Sequence, residues 1–322
     1  MDYESFIKRA VERRRALFEV SDTDCFRLVN GEADGLPGFT LDRFGDFLLA
    51  QVYDEALLER RDENITLNKS YIKALSSIKI PVSVKGILVK NREKLPENNH
   101  GSAKRKSFLI YGEYPPPDFA VMQNGVRLFV DLIEGQDTGI FLDMREIRNE
   151  LAGFYKTIKG RMLNLFCYTG MFSIHAIKNG LAGALNVDLS ASALERAKKN
   201  YELNDIVFKN TDFIRGDAAE WPARLAKKGF EFGIVVIDPP TFSRNKKKNF
   251  SVKENYGALL SSLAQVAPSG YVFSSVNALG ISKKEFLAFH PRSRRLVFYR
   301  NESSDFSASG VHYLKAALWK VE

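Results

Sequence analysis

One glycine and three aspartates follow short apolar segments in the second half of the chain, and their spacing suits a nucleoside cofactor. Gly170 closes the run Asn-Leu-Phe-Cys-Tyr-Thr-Gly, which predicts a strand that leads through a tight turn into a helix. Asp188 follows about 20 residues later, where an acid accepts ribose hydroxyls in nucleotide-binding folds. Asp217 ends the next apolar segment and is suitably placed to receive an adenine amino group, and Asp238 ends a fourth segment.

The glycine pattern around Gly170 indicates which class of cofactor fits. The full G-x-G-x-x-G repeat is absent, and the extra glycines of that repeat allow the backbone to approach a pyrophosphate. The sequence therefore predicts an adenosine cofactor without phosphates rather than NAD or FAD. Each aspartate taken singly has a simpler interpretation, because an acid at such a position can also cap a helix or close a turn. The set of four strand ends is far more specific than any one of them.

The segment that ends at Asp238 has its own chemistry. Ile234–Ile237 is apolar without alternation, which is typical of a parallel strand buried on both faces. Pro239 and Pro240 then end the strand, because proline has no N–H to donate to a sheet. With Phe242, they form an acidic, proline-rich and aromatic segment at the edge where open α/β sheets bind ligands. A strand that simply ends in a proline-stiffened loop is the alternative.

Strands and helices must alternate after Gly135 to bring these residues together. The apolar segments predict successive strands, separated by helices, at 162–166, 184–187, 213–214, 234–237 and 271–275. Two more strands, at 296–299 and 313–319, predict an antiparallel edge. This alternation predicts an α/β fold with a Rossmann-like, doubly wound, mostly parallel sheet in a domain at 135–322.

The first part of the chain predicts a different architecture. Residues 1–24 predict a basic amphipathic helix, either docked with a solvated face or serving as an arm that contacts phosphates. Residues 25–134 combine short strands, tight turns and a helix, and they end in a hairpin through Asn124 and Gly125. We therefore expect a smaller N-terminal α+β domain.

Composition limits the class of protein. The 322 residues are 45% hydrophobic and 27% charged, as in ordinary globular proteins. No apolar run approaches the roughly 18 residues of a membrane span, and the first residues contain no signal-peptide core. Cys25 and Cys167 build no disulfide framework, and the cysteines and four histidines show no metal-binding spacing. We expect a cytoplasmic protein with no membrane or metal partner. The net charge of +8 favours a polyanion such as nucleic acid, although solvated lysine-rich faces are a common alternative.

The order of these motifs resembles that of class I S-adenosylmethionine-dependent methyltransferases. More narrowly, it is similar to the large-subunit ribosomal RNA methyltransferase family, which contains cytosine-C5 enzymes and a guanine-N7 enzyme. The resemblance extends from about Phe26 to the C-terminus, and five segments carry it: Arg-Leu-Val-Asn-Gly-Glu-Ala-Asp-Gly-Leu-Pro-Gly at 27–38, Asp-Thr-Gly-Ile-Phe-Leu-Asp-Met-Arg at 137–145, Leu-Asn-Leu-Phe-Cys-Tyr-Thr-Gly at 163–170, Val-Asp-Leu-Ser at 187–190 and Asp-Pro-Pro-Thr-Phe-Ser at 238–243.

The resemblance implies S-adenosylmethionine as the cofactor and RNA, in particular large-subunit ribosomal RNA, as the partner. It implies an RNA-binding or substrate-binding role for residues 25–134. The implied cofactor-binding residues are Phe141, Asp143, Arg145, Asn164, Phe166, Tyr168, Thr169, Gly170, Asp188, Leu189, Asp217, Ala218 and Asp238. The implied catalytic residues, which would form the wall between the donor methyl group and the target base, are Asp238, Pro239, Pro240 and Phe242.

Two departures from the family bear on the substrate. Many members open with an RNA-binding domain of the PUA type, and this chain begins too late for one. Formation of 5-methylcytosine requires a cysteine thiolate to add to ring carbon 6, and in the cytosine enzymes this cysteine lies in the strand after the Asp-Pro-Pro helix. Residues 270–277 contain none, and neither Cys25 nor Cys167 is placed for the attack. Because guanine N7 has its own lone pair and needs only positioning, the sequence favours guanine N7.

A basic run follows the wall directly. Arg244, Lys246, Lys247 and Lys248 are expected to contact RNA phosphates, with a solvated loop as the alternative. Phe242 would stack on an extruded base or, alternatively, pack inward. Two other functions stay open: a non-catalytic RNA-binding or ribosome-assembly factor on the same fold, and a methyltransferase for a protein or small molecule. The four intact strand ends disfavour the first, and the basic loop with the N-terminal module disfavours the second.

Overall fold

The computed structural model describes residues 2–61, 64–92, 106–135, 137–240, 242–244, 249–307 and 310–321. The chain divides into two compact units. The first unit comprises Met1–Asp143 and Ser303–Val311, and the second comprises Met144–Glu302 and His312–Glu322. Among the described residues, no helix is long and apolar enough to cross a membrane.

The first unit is built on a five-stranded sheet with two helices. Its elements are α1 (Tyr3–Arg13), β1 (Cys25–Asn30), β2 (Phe39–Phe44), β3 (Phe47–Val52), β4 (Leu58–Arg61), β5 (Asn64–Leu67), α2 (Lys69–Ser76), β6 (Gly86–Asn91), β7 (Phe108–Gly112), β8 (Ala120–Gln123) and β9 (Val126–Phe129). The sheet order is β1-β2-β3-β6-β7, in which only the β3 and β6 pair is parallel. The pairs β4-β5 and β8-β9 form separate antiparallel hairpins.

Helix α1 is packed against the first unit through its apolar face. Ile7, Ala10 and Val11 are buried in a core shared with the sheet and α2. Arg13 and Arg14, at the end of the helix, both pair with the carboxylate of Asp34. Two of the arginines near the end of α1 are therefore engaged within this unit.

The second unit contains a seven-stranded sheet between helices. Its elements are α3 (Arg145–Tyr155), β10 (Met162–Leu165), α4 (Met171–Lys178), β11 (Ala184–Asp188), α5 (Ala191–Leu203), β12 (Phe213–Arg215), α6 (Trp221–Ala226), β13 (Ile234–Ile237), β14 (Phe242–Arg244), β15 (Asn249–Ser251), α7 (Val252–Ser262), β16 (Tyr271–Asn277), α8 (Lys283–Ala288), β17 (Arg294–Arg300) and β18 (Leu314–Val321). The sheet order is β12-β11-β10-β13-β16-β18-β17. The first five strands are parallel, and β18 and β17 are antiparallel additions. This confirms the predicted Rossmann-like α/β fold.

The apolar strands of the second unit are buried because both faces of the sheet are covered. Along β13, Val235 and Ile237 pack in the cluster that includes α7 and α8. Ile234 and Val236 pack in the cluster that includes α3 and α4. This two-sided burial explains why the strand sequence shows no polar alternation.

The direction of chain winding changes between β10 and β13. From β10 the chain moves outward through β11 to β12, and it then returns to place β13 on the other side of β10. Open α/β sheets bind ligands at the carboxyl ends of strands beside such a switch. The segments that leave these two strands, 166–170 and 238–240, therefore lie where a ligand site is expected.

The strand ends differ in detail from the sequence prediction. The two antiparallel edge strands are longer than predicted. Strand β17 extends from Arg294 to Arg300, and β18 extends from Leu314 to Val321. The segment after the two prolines, predicted as a loop, contains the antiparallel strands β14 and β15. Short strands at such a place have too few residues to show a periodic pattern.

Candidate active site

The turn between β10 and α4 has an unusual backbone. Phe166 and Tyr168 have φ angles of +59° and +49°, and Gly170 has a φ of +82°. Among the described residues, only four non-glycine residues have positive φ, so this turn holds two of them. Such conformations cost of order 1–3 kcal/mol each and are retained where a site requires a particular shape.

Gly170 is required at the end of this turn for two reasons. Its left-handed φ is unfavourable for other residues. In addition, a Cβ at this position would lie 3.3 Å from Cβ of Ala197 and 3.4 Å from Cε2 of Tyr201, both on α5. The backbone at the start of α4 can therefore approach α5 closely only with glycine in place.

A buried polar network supports the turn from within the second unit. The Asn164 amide donates to Oγ of Ser173 (2.9 Å), and that hydroxyl donates to Oδ1 of Asn186 (2.7 Å). The amide of Asn200 donates to the carbonyl of Thr169 (3.0 Å). Asn164 and Thr169 are each only 1% exposed. The structure therefore places these two predicted cofactor residues beneath the turn, where their side chains or carbonyls hold its shape.

Asp188 ends β11 beside this turn, and its carboxylate is oriented by two backbone groups. The N–H of Tyr168 donates to Oδ2 (2.9 Å), and the N–H of Ser190 donates to Oδ1 (2.8 Å). Each oxygen keeps a further lone pair for another donor. Asp188 is partly exposed, and the neighbouring Leu189 exposes 38% of its surface. A carboxylate and an apolar side chain next to each other can bind a ribose and the face of a base.

Asp217 is brought to the same edge by the next strand. The N–H of Gly216 donates to the carbonyl of Asp188 (2.9 Å), which ties the end of β12 to the end of β11. The Asp217 carboxylate accepts the N–H of Ala219 (3.0 Å), and Asp217 is partly exposed. Ala218 is buried.

Asp238 follows β13 and is held by a residue of the adjacent strand. The hydroxyl of Ser275 on β16 donates a hydrogen bond to Oδ1 of Asp238. The buried hydroxyl of Tyr256 donates to the carbonyl of Ser275 (2.8 Å). Burial, reinforced by the charge of Asp238, raises the pKa of Tyr256 well above its usual value, so this donor stays protonated. Asp238 is partly exposed, so its carboxylate is both fixed and accessible.

Ser275 is a residue of this candidate site to which sequence reasoning gave no role. The available signal was the strand register. Ile237 pairs with Ser274, so Asp238, which follows Ile237, lies next to Ser275, which follows Ser274. That register is visible only once β16 is known to lie next to β13.

The two prolines differ in their surroundings. Pro239 is buried and Pro240 is exposed. Phe242 and Arg244 lie in β14, whose backbone pairs with β15. Their side chains, together with Lys246, Lys247 and Lys248, lie outside what the structure describes, so the predicted stacking and phosphate contacts stay predictions.

The three predicted residues before β10 lie in separate settings. Phe141 and Asp143 belong to the first unit, where Phe141 is 47% exposed and the carbonyl of Asp143 accepts the N–H and hydroxyl of Ser303 (2.8 Å each). Arg145 begins α3 in the second unit, is 8% exposed and contacts Glu146 (3.0 Å).

The two cysteines are buried and do not have the surroundings of a catalytic nucleophile. Cys167 lies within the turn and is buried, and burial together with the charge of Asp188 raises the pKa of its thiol well above the usual value. Cys25 is buried in the first unit. In the part of the chain that the structure describes, no group of three or more His, Cys, Asp or Glu side chains could hold a metal ion.

The donor set at this edge fits an adenosine cofactor without phosphates. A ribose can bind the Asp188 carboxylate, and an adenine can lie beside Leu189 and Asp217. The three aspartates at the ends of β11, β12 and β13 add negative charge at this edge, which disfavours a pyrophosphate. A cofactor that carries a positive charge is compatible with the carboxylates of Asp188 and Asp238.

Comparisons with known proteins agree with this geometry. A family model described as S-adenosylmethionine-dependent methyltransferase matches residues 106–300. The ribosomal RNA large subunit methyltransferase I of Aeromonas hydrophila is 32% identical over 291 residues, covering 88% of this chain and 69% of the relative. The protein of the same name from Tolumonas auensis is 34% identical over 263 residues, covering 80% of this chain and 62% of the relative.

Solved structures show the same fold. Two structures of a methyltransferase, one from Streptococcus mutans and one solved in complex with SAH, match with a TM-score of 0.83 and 25% identity. Each match covers 99% of this chain and 81% of the other. A SAM-dependent methyltransferase from Agrobacterium tumefaciens matches with a TM-score of 0.67 and 16% identity, over 94% of this chain and 91% of the other.

Proposed function

Because the chain belongs to the S-adenosylmethionine-dependent methyltransferase family, we propose that it methylates a base of large-subunit ribosomal RNA, at N7 of guanine. The chain is an S-adenosylmethionine-dependent methyltransferase, so the proposal concerns the acceptor. The names of the similar bacterial enzymes support ribosomal RNA as the substrate. The net charge of +8 supports a polyanionic partner.

The observation that carries the choice of atom is the pair formed by Asp238 and Ser275. Ser275, on the neighbouring strand β16, lies beside Asp238, and its hydroxyl donates a hydrogen bond to the Asp238 carboxylate. A neutral serine hydroxyl is a much weaker nucleophile toward ring carbon 6 than a cysteine thiolate. Attack on cytosine carbon 6 needs a thiolate, and the thiol nearest in sequence to the site, Cys167, is buried and protonated. The arrangement therefore suits an acceptor atom that is already nucleophilic.

The roles of the residues follow from this choice. When bound, S-adenosylmethionine supplies an electrophilic methyl group on a sulfonium. Asp188 and Asp217 would hold the ribose and the adenine, and Gly170 would let the backbone approach. Asp238, held by Ser275, would orient the base by accepting hydrogen bonds from its N–H groups. Guanine N7 loses no proton at the reacting atom, so the chain has only to bind and orient the base and exclude water.

The residues outside the turn would complete the site. We propose that Phe141, Asp143 and Arg145 flank the methionine end of the cofactor, and that Phe242 contacts the extruded base. We further propose that Arg244 and the lysines at 246–248 bind phosphates, that residues 25–134 contribute to RNA binding, and that the protein acts in the cytoplasm, where its two thiols stay reduced.

Nucleoside mass spectrometry of ribosomal RNA from a strain lacking the gene tests the proposal. We expect one 7-methylguanosine to disappear from the large-subunit RNA while 5-methylcytidine stays intact, and expression of the wild-type protein to restore it. Loss of a 5-methylcytidine with 7-methylguanosine unchanged contradicts the choice of atom. Unchanged ribosomal RNA contradicts the choice of substrate.

A further inference from the structure

The loop after β16 presents an apolar side chain beside the candidate active site. Leu279 is 70% exposed. Strand β16 continues to Asn277, three residues past Ser274, which pairs with the last residue of β13, Ile237. Three residues of strand span roughly 10 Å. The loop therefore extends beyond the sheet edge from which Asp238 leaves the neighbouring strand.

The loop is held firmly on both sides of its tip. The N–H of Ala278 donates to the carbonyl of Tyr313 (2.9 Å), and Nζ of Lys315 donates to the carbonyl of Ala278 (2.7 Å). On the other side, Ile281 is only 2% exposed and packs in the core of the unit. Single exposed apolar side chains are common on protein surfaces, but a loop anchored at both ends holds this one in a fixed place in solvent.

A lysine amine lies beside the tip. Nζ of Lys253, on the first turn of α7, lies 4.0 Å from the position that a Cβ on Gly280 would occupy. Lys283 and Lys284 begin α8 and are exposed, and Nζ of Lys283 lies 4.3 Å from the centre of the Tyr299 ring. The carboxylate of Glu285 accepts the N–H and hydroxyl of Ser282 (2.7 and 2.6 Å) and also attracts Lys253. An apolar tip with a lysine amine beside it is complementary to the bases and phosphates of an RNA strand.

We propose that Leu279 and Lys253 form an RNA-contact surface for the acceptor strand. This inference rests on the proposed function and deepens it. When the target base leaves the stack, the face of its neighbour loses a stacking partner, and an apolar side chain inserted there offsets part of that loss. Leu279 packs against that neighbouring base, while Lys253 binds an adjacent phosphate.

The chain offers matched controls on the opposite edge of the same sheet. Val207 is 98% exposed in the loop between α5 and β12, and Lys228 is exposed in the turn after α6. Both loops precede their strands and therefore lie at the amino edge of the parallel strands. Val207→Ala and Lys228→Ala repeat the chemical changes of Leu279→Ala and Lys253→Ala without touching the proposed surface.

Steady-state transfer of labelled methyl groups to large-subunit ribosomal RNA, with calorimetry of S-adenosylmethionine binding, tests the inference. We expect Leu279→Ala to lower kcat/KM for RNA roughly tenfold, as for loss of one buried apolar contact, with unchanged cofactor affinity. We plot the logarithm of the RNA-binding constant against the logarithm of the salt concentration, and call the steepness of this line the salt slope. We expect Lys253→Ala to reduce the salt slope by about 1. Both controls should match the wild type.

Two outcomes overturn the inference without touching the proposed function. The first is a Leu279→Ala variant that methylates RNA as well as Val207→Ala does. The second is a Lys253→Ala variant with an unchanged salt slope. If the wild type methylates no RNA, the proposed function fails first. Salt-dependent RNA binding measured by fluorescence anisotropy then still reports whether Leu279 and Lys253 contact RNA.

Discussion

The hydroxyl of Ser275 donates a hydrogen bond to Oδ1 of Asp238, across the boundary between two neighbouring parallel strands. The backbone carbonyl of Ser275 is itself held by the buried hydroxyl of Tyr256 (2.8 Å). The carboxylate at the end of β13 is thus fixed from the side by groups that do not ionise near neutral pH. A fixed and accessible carboxylate is suited to orient a base for direct methyl transfer.

Replacement Ser275→Ala should slow methyl transfer while leaving cofactor affinity nearly unchanged. A hydrogen bond to a charged group contributes about 1.5–3 kcal/mol, which corresponds to roughly 10- to 100-fold in kcat if Asp238 orients the base in the transition state. Ser262→Ala is the matched control, since the Ser262 hydroxyl donates to the carbonyl of Leu259 (2.7 Å) within α7. Equal effects of the two variants on kcat would show that the bond to Asp238 has no role in transfer.

Asp188→Asn should weaken S-adenosylmethionine binding. The carboxylate accepts the N–H groups of Tyr168 and Ser190 with different oxygens, and an amide can accept with only one atom. We expect a rise in Kd of roughly 10- to 100-fold by calorimetry, from loss of charge-assisted hydrogen bonds to the ribose. An unchanged Kd would remove Asp188 from the cofactor site.

Gly170→Ala should destabilise the protein and weaken cofactor binding together. The substitution combines a φ of +82° with contacts of 3.3 and 3.4 Å to Ala197 and Tyr201. We expect a loss of about 1–3 kcal/mol in the free energy of unfolding. Gly229→Ala is the control, because its φ is +73° but no atom lies within 4 Å. Thermal unfolding should show a clearly smaller loss for Gly229→Ala, and equal losses would assign the whole cost to backbone strain.

Lys90 gives a prediction about pH. This lysine is fully buried on β6, and its Nζ has no hydrogen-bond partner among the described residues. Burial and the charge of Arg92 lower its pKa from 10.5 to about 8, against the opposing effect of Asp131 and Asp137. Between pH 8 and 10.5 the unfolded chain therefore binds more protons than the folded chain, so stability rises with pH across this window.

Lys90→Met removes this proton linkage. We expect the variant to gain up to about 3 kcal/mol in the free energy of unfolding near pH 7, and the gain over wild type to shrink as pH rises toward 10.5. Urea unfolding at several pH values measures both quantities. A gain that is the same at pH 7 and at pH 10.5 would show that Lys90 titrates normally.

Much of the second unit could be predicted because its signals are local. Uninterrupted apolar segments such as Ile234–Ile237 identify buried parallel strands, and the residue after each strand identifies the ligand edge. Gly170, Asp188, Asp217 and Asp238 lie at or shortly after the ends of four strands that the structure places side by side. The fold class and the ligand edge of the sheet follow from these positions.

Other parts of the site depend on contacts between distant residues. The bond from Ser275 to Asp238 joins residues 37 positions apart, and its existence follows from strand order, which single residues do not encode. Likewise, the left-handed backbone at Phe166 and Tyr168 is not encoded by the residues themselves, since neither residue type favours it. The side chain of Asn164 was predicted from its place next to a motif to bind the cofactor. In the structure it forms a hydrogen bond within a buried polar network.

The most direct test of the account is mass spectrometry of RNA methylated by the purified protein. The wild type is incubated with large-subunit ribosomal RNA and methyl-deuterated S-adenosylmethionine, and the RNA is digested to nucleosides. We predict deuterated 7-methylguanosine, with no covalent protein–RNA adduct when 5-fluorocytidine replaces cytidine in the RNA. Deuterated 5-methylcytidine, or a trapped adduct, would contradict direct transfer to guanine N7.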